Sequence, residues 1–229
     1  MTVAASALLE VSGMVGGLAA AGVGIWLAKT VPGEMDLEVR LRPVWWWGIA
    51  VVAGLLYGWR IAAVVPGGVL PAYLAFGAAT LGLTLIDLDH QLIPNRVLFP
   101  ALGIAGVLLV GGAVVEGDGA SLLRGLSGSI VYFAFLLVVG LVARGGFGMG
   151  DVKLALFLGL FLGYLGWGEL ALGSVLAILL GGIASILILV FTSKGRDAKF
   201  AYGPYLVAGA WVAVLWGERV IDWYLGTNS

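Results

Sequence analysis

The sequence predicts an all-α fold, a polytopic membrane protein of about eight transmembrane helices, and three observations carry that prediction. Hydrophobic residues make up 61% of the 229 and charged residues 11%, with a mean hydropathy of +1.08, well outside the range of a soluble globular domain. Apolar segments of about 20 residues, long enough to cross a bilayer core, recur along the chain and are broken by charges, Pro and Gly. The cations also fall mainly on alternate connections, as the positive-inside rule requires of a multi-pass chain.

The first span, 5–28, has no basic residue ahead of it, and its first cation, Lys29, follows the apolar stretch. It therefore reads as a retained helix, not a cleaved signal, and places the N-terminus outside. Glu10 within it faces the bundle or a cavity if it is buried. The second span, 44–65, opens on an interfacial aromatic belt, Trp45, Trp46 and Trp47, and carries Arg60 near enough its outer end to snorkel. VVPGGVLP, residues 64–71, reads as a tight hairpin into the third span, 69–86. Pro94 restricts Ile93 to extended geometry and stops the helix, and Asn95 is placed to cap the fourth span, 97–115. Spans at 122–143, 152–167, 170–191 and 202–217 complete the series.

With the N-terminus outside, nine cations fall on inner connections: Lys29, Arg40, Arg42, Arg96, Arg144, Lys153, Lys194, Arg196 and Lys199. Only Arg124 and Arg219 fall outside, with Arg60 inside a span. The chain is thus read as one integral-membrane domain, 1–229.

Twelve Lys and Arg against 13 Asp and Glu give no electrostatic case for nucleic acid as a partner. The absence of cysteine excludes disulfides, thiolate catalysis and Cys-ligated zinc, and a single histidine excludes a multi-His metal site. The 38 glycines fit close helix packing within apolar segments.

Carboxylates at membrane depth are costly there, and are functional candidates when a partner can be named. In ATLGLTLIDLDHQLIPN, residues 79–95, the third span runs straight into Asp87, Asp89 and His90. Asp87 directly follows the apolar run, at the cytoplasmic boundary. Its partner is Asp151, which closes GMGD, residues 148–151, and opens the sixth span. Taken alone, Asp151 reads as a helix cap, favoured by the backbone N–H groups and the dipole, and GGFGMG as a flexible turn. Taken as a pair, two close carboxylates cannot easily both ionise, so they share a proton. The ionised member can take a proton from water while the protonated member hydrogen-bonds a scissile carbonyl, with no Ser or Cys nucleophile. Gly148 and Gly150 would let an extended substrate backbone come close to Asp151.

If the helix continues through Asp87 and Asp89, two steps turn about 200°, so only one can belong to the pair. The other is then a solvated or outer carboxylate. His90 is read as an interfacial polar residue in preference to a general base or metal ligand, and Lys153 as a topology anchor that would also favour an ionised Asp151.

These residues resemble the type IV prepilin peptidases, polytopic members of the GxGD aspartyl proteases. IDLDHQLIPN, residues 86–95, looks like their first catalytic motif; GMGDVKL, 148–154, looks like their GxGD motif; AYGPYLVAGA, 201–210, resembles their last-span signature. The three in this order are specific and cover roughly residues 50–215. The resemblance implies a multi-pass bacterial inner-membrane enzyme that removes the basic leader of prepilins or pseudopilins on the cytoplasmic side. It implies Asp87 and Asp151 as catalytic residues; Asp89, Gly148, Gly150 and Lys153 are read beside them as supporting residues. The family's shorter members often replace the second Asp of DxD with a basic residue, which agrees with Asp87 over Asp89. Residues 43–217 would form the peptidase core, with the span 5–28 as an added helix.

Longer members carry two CxxC pairs that bind zinc, in a cytoplasmic domain associated with N-methylation by S-adenosylmethionine. The corresponding connection here, KTVPGEMDLEVRLRP, residues 29–43, has no cysteine, so the resemblance is to a short form with neither zinc nor S-adenosylmethionine expected. The expected partners are prepilin or pseudopilin substrates and the lipid bilayer. Composition alone also allows a transporter or channel, with the same carboxylates as proton or cation sites, or a scaffold with capping aspartates.

Overall fold

In the computed structural model, residues 3–35, 44–142, 148–191 and 201–226 are described, and they form eight helices without a strand among them. These are α1 (Val3–Glu34), α2 (Val44–Ile61), α3 (Leu70–His90), α4 (Asn95–Glu116), α5 (Gly119–Val142), α6 (Met149–Leu165), α7 (Trp167–Phe191) and α8 (Gly203–Leu225). The all-α architecture and all eight segments are as the sequence predicts. Among the described residues, five helices are long and apolar enough to span a bilayer: α1 over Glu10–Pro32, α3, α4, α5 and α7 over Trp167–Leu187. α6, with 17 residues, rises only about 25 Å, short of the roughly 30 Å of a hydrocarbon core. Most of its side chains are buried in protein, so it has little need to match the lipid. α8 carries Glu218, Arg219 and Asp222 in its last two turns.

Boundaries moved where local chemistry overrides composition. α1 continues beyond residue 28 to Glu34, with Pro32 near its end. α2 stops at Ile61, and the expected hairpin becomes a run of turns in which Val64 and Val65 donate to the Ile61 carbonyl. α3 does not end at residue 86; it carries Asp87 to His90 in its last turn, and Gln91 stops it in the left-handed region at φ 53°. Asn95 is not the cap of α4. Pro94 takes that place, its carbonyl accepting from Val97 and Leu98 at 3.0 Å, so Asn95 becomes the first helical residue. Of the inner cations counted in sequence, Arg40, Arg42, Arg144, Lys194, Arg196 and Lys199 lie outside the described residues.

The chain divides into two compact units, Met1–His90 with Pro94–Leu122, and Gln91–Ile93 with Leu123–Ser229. In the first, α1 packs on α2 and α3, and α3 on α4. Glycines make the α1–α2 approach possible: a Cβ on Gly17 would stand 2.7 Å from the Gly58 Cα, and one on Gly54 2.6 Å from the Ala21 Cβ. The core of this unit is anchored by Tyr57, whose hydroxyl donates to the Tyr73 carbonyl at 2.9 Å, and by Phe76 beside Tyr73. Glu10 is exposed.

In the second unit, α8 packs on α6 and α7. α5 joins α6 through polar contacts. Ser129 donates to the Leu156 carbonyl at 2.7 Å, and Arg124 donates to the carbonyls of Gly163 at 2.9 Å, Tyr164 at 2.7 Å and Leu165 at 3.1 Å. A helix leaves its last carbonyls unsatisfied, and a guanidinium meets both that deficit and the negative end of the dipole. Phe157 and Phe161 meet edge to face at 5.4 Å in the buried face of α6.

Candidate active site

Among the described residues, the only buried charged side chains are Asp87, 3% exposed, and Asp151, 7% exposed. Each stands at a helix end. Asp87 lies in the last turn of α3, in the first unit. Asp151 lies in the first turn of α6, in the second.

Because α3 remains helical through His90, the expected divergence of the DxD pair is realised. Asp87 is buried, Leu88 is 40% exposed, and Asp89 and His90 are half-buried. The face that carries Asp87 also carries Thr80 and Thr84, at spacings of four and three residues that place all three in one stripe. Thr80 is fully buried and donates back to the Phe76 carbonyl at 2.8 Å and the Gly77 carbonyl at 3.2 Å. The buried Thr84 hydroxyl, one turn before Asp87, has no partner among the described residues. The sequence reading passed over both threonines, although their helical spacing from Asp87 was visible.

Asp151 is held by its own turn. Its Oδ2 accepts from the Gly148 N–H at 3.2 Å, and its backbone N–H donates to the Gly148 carbonyl at 3.0 Å. The capping role that Asp151 has in isolation is therefore present, and it orients the carboxylate. Gly148 has φ −71°, so its value is not backbone freedom but space: a Cβ there would stand 3.3 Å from the Asp151 carboxylate. A Cβ on Gly150 would stand 3.1 Å from that of Ile93. The stretch that follows α3 thus reaches the turn that carries Asp151. Lys153 is half-buried.

The segment 201–210 comes to the same region. Tyr202 precedes α8, and the Asp151 carboxylate is near enough to act on its phenol electrostatically. The phenol donates to the Ala177 carbonyl of α7 at 3.1 Å, and its ring fills the space that a side chain on Gly181 would need. No group of three or more His, Cys, Asp or Glu among the described residues is placed to hold a metal ion.

Fold and site together define a polytopic helical membrane protein with one buried carboxylate on each of two helix ends. The chain belongs to the type IV leader peptidase family, whose model matches residues 73–191. It is 35% identical over 170 residues to the prepilin leader peptidase/N-methyltransferase of Aeromonas salmonicida strain A449, covering 72% of this chain and 55% of that protein. The protein of the same name from Aeromonas hydrophila is 34% identical over 184 residues, 77% of this chain and 57% of that one. The one from Pseudomonas putida is 32% identical over 169 residues, 72% and 56%. The chain therefore spans a little over half the length of these relatives. No solved structure matches it.

Proposed function

We propose that this chain is a membrane-embedded aspartic endopeptidase that removes the leader peptide of type IV prepilins or pseudopilins at the cytoplasmic face of the bacterial inner membrane. The observation that carries this reading is the burial of Asp87 and Asp151, alone among described charged side chains, in a chain of the type IV leader peptidase family. Burying a carboxylate is costly unless it is paired or used. Both sit in segments that match the motifs of the resemblance.

In the reaction, one carboxylate takes a proton from the attacking water while the other, protonated, hydrogen-bonds the scissile carbonyl and then supplies a proton to the leaving amine. The bond from Gly148 to Asp151 orients one member, and Ile93 packs close to Gly150 in the same turn. The membrane orientation has the N-terminus outside and both aspartate-bearing helix ends at the cytoplasmic face, supported by the skew of the cations in sequence.

The relatives carry N-methyltransferase in their names. This chain has no cysteine and one histidine, so it offers no ligands of the type that the resemblance associates with zinc and methylation. The expected product of this chain is accordingly a cleaved pilin without an added methyl group, and mass spectrometry of that product reads it directly.

Co-expression with a candidate prepilin, read by mass spectrometry, tests leader loss and methylation together. Asp87→Asn and Asp151→Asn are each expected to abolish cleavage while the protein still inserts, and Asp89→Asn to retain it. Undiminished cleavage by both of the first two variants would overturn the mechanism. The transporter reading requires instead ion-dependent flux in proteoliposomes without cleavage; family membership favours hydrolysis.

A further inference from the structure

We infer that the first unit carries a binding site for one anionic phospholipid, held in a slot between α1 and α4. Both helices pack on α3, and between them lies an apolar cavity of about 530 Å³ whose floor is the α3 face bearing Ala75 and Ala78. Small residues on that face leave room that larger ones would close. The slot runs beside α1 from Gly16 to Leu27, about 16 Å of helix rise, and so lies along the direction of a lipid acyl chain. Its walls include Val23 and Ile104, which are 49% and 63% exposed. In a membrane-spanning unit these side chains face lipid, so a chain can enter sideways.

Arg96 is the one charged residue of the lining. It is exposed, and it is the second residue of α4, where the positive end of a helix dipole adds to the guanidinium charge. A phosphate bound there would meet a planar donor fork and a helix N-terminus at once. Among the described residues no carboxylate pairs with Arg96. An acyl slot that ends in an anion site at a helix terminus has the polarity of a phospholipid, and basic pockets between transmembrane helices recognise such headgroups.

The test is native mass spectrometry of the full chain released from nanodiscs of phosphatidylglycerol, of phosphatidylcholine, or of both. One phosphatidylglycerol per chain is expected to survive detergent exchange, in preference to phosphatidylcholine. Arg96→Gln, an exposed change outside the core, is expected to weaken that retention by about fivefold, the worth of one Arg near a headgroup. Ala101→Leu, which fills the slot from α4, is expected to abolish retention with Arg96 intact. Ala75→Leu fills it from the floor and serves if the first slot variant does not insert; helicity and thermal midpoint establish that each variant folds. Equal retention of both lipids with no effect of Arg96→Gln would overturn the inference. So would competition by inorganic phosphate as strong as by phosphatidylglycerol, or a crosslink from position 101 to a co-expressed prepilin helix in place of lipid.

Discussion

At the scale of single residues, α3 shows how helical periodicity sorts neighbours that look alike. Asp87 and Asp89 differ by about 200° around the axis, and one is buried while the other is half-buried. That separation was legible from spacing alone. The state of the two threonines beside Asp87 was not, because it depends on which atoms of other helices surround them. Thr80 returns its hydroxyl to its own helix, whereas the buried Thr84 hydroxyl has no described partner. Thr80→Val is expected to cost about 1 kcal/mol, the net worth of an intramolecular hydrogen bond. Thr84→Val is expected to be neutral or stabilising, since it replaces an unsatisfied buried hydroxyl with a methyl of the same shape. Equilibrium unfolding in mixed micelles measures both, and an equal loss at the two positions would show Thr84 to be paired. Arg124 teaches the same lesson. In sequence it is one of the few outer cations; in the fold it closes the C-terminal end of α6 through three carbonyls.

Between elements, packing without a hydrophobic driving force relies on close backbone approach, and glycine is what permits it. The abundance of glycine announced such packing but not which glycines take part. Along α1, Gly17 faces α2 so closely that a Cβ would collide with Gly58, while a Cβ on Gly22 would meet nothing within 4 Å. The same substitution should therefore act with opposite sign at the two positions. Gly17→Ala is expected to destabilise by about 1–3 kcal/mol through overpacking. Gly22→Ala is expected to stabilise by about 0.5–1 kcal/mol, because alanine loses less backbone freedom than glycine in a helix. Thermal unfolding in detergent distinguishes them, and a matching loss at Gly22 would contradict the packing described. The α3–α4 connection likewise follows local chemistry. Gln91 ends α3 in the left-handed region, and Pro94 starts α4 by accepting from the N–H groups of Val97 and Leu98.

For the molecule as a whole, the proposed orientation has a direct consequence, and the absence of native cysteine makes it clean to measure. Ala120→Cys, exposed at the start of α5, is expected to react with a membrane-impermeant thiol reagent in intact spheroplasts; Leu92→Cys, exposed after α3, only after permeabilisation. Labelling in the reverse order would invert the topology and place both aspartates on the wrong side for a cytoplasmic leader. The sequence by itself determined that the chain is helical and membrane-embedded, that it has eight helices and roughly where they lie, and that Asp87 and Asp151 stand near helix ends. Those properties follow from composition and short-range periodicity, which every helix must satisfy along its own length. Only the tertiary structure decided that Asp87 and Asp151 are buried while Asp89 is not fully so, that Ile93 meets Gly150, and that a slot opens between α1 and α4. These depend on contacts between residues far apart in the chain, made where small side chains let particular helices approach.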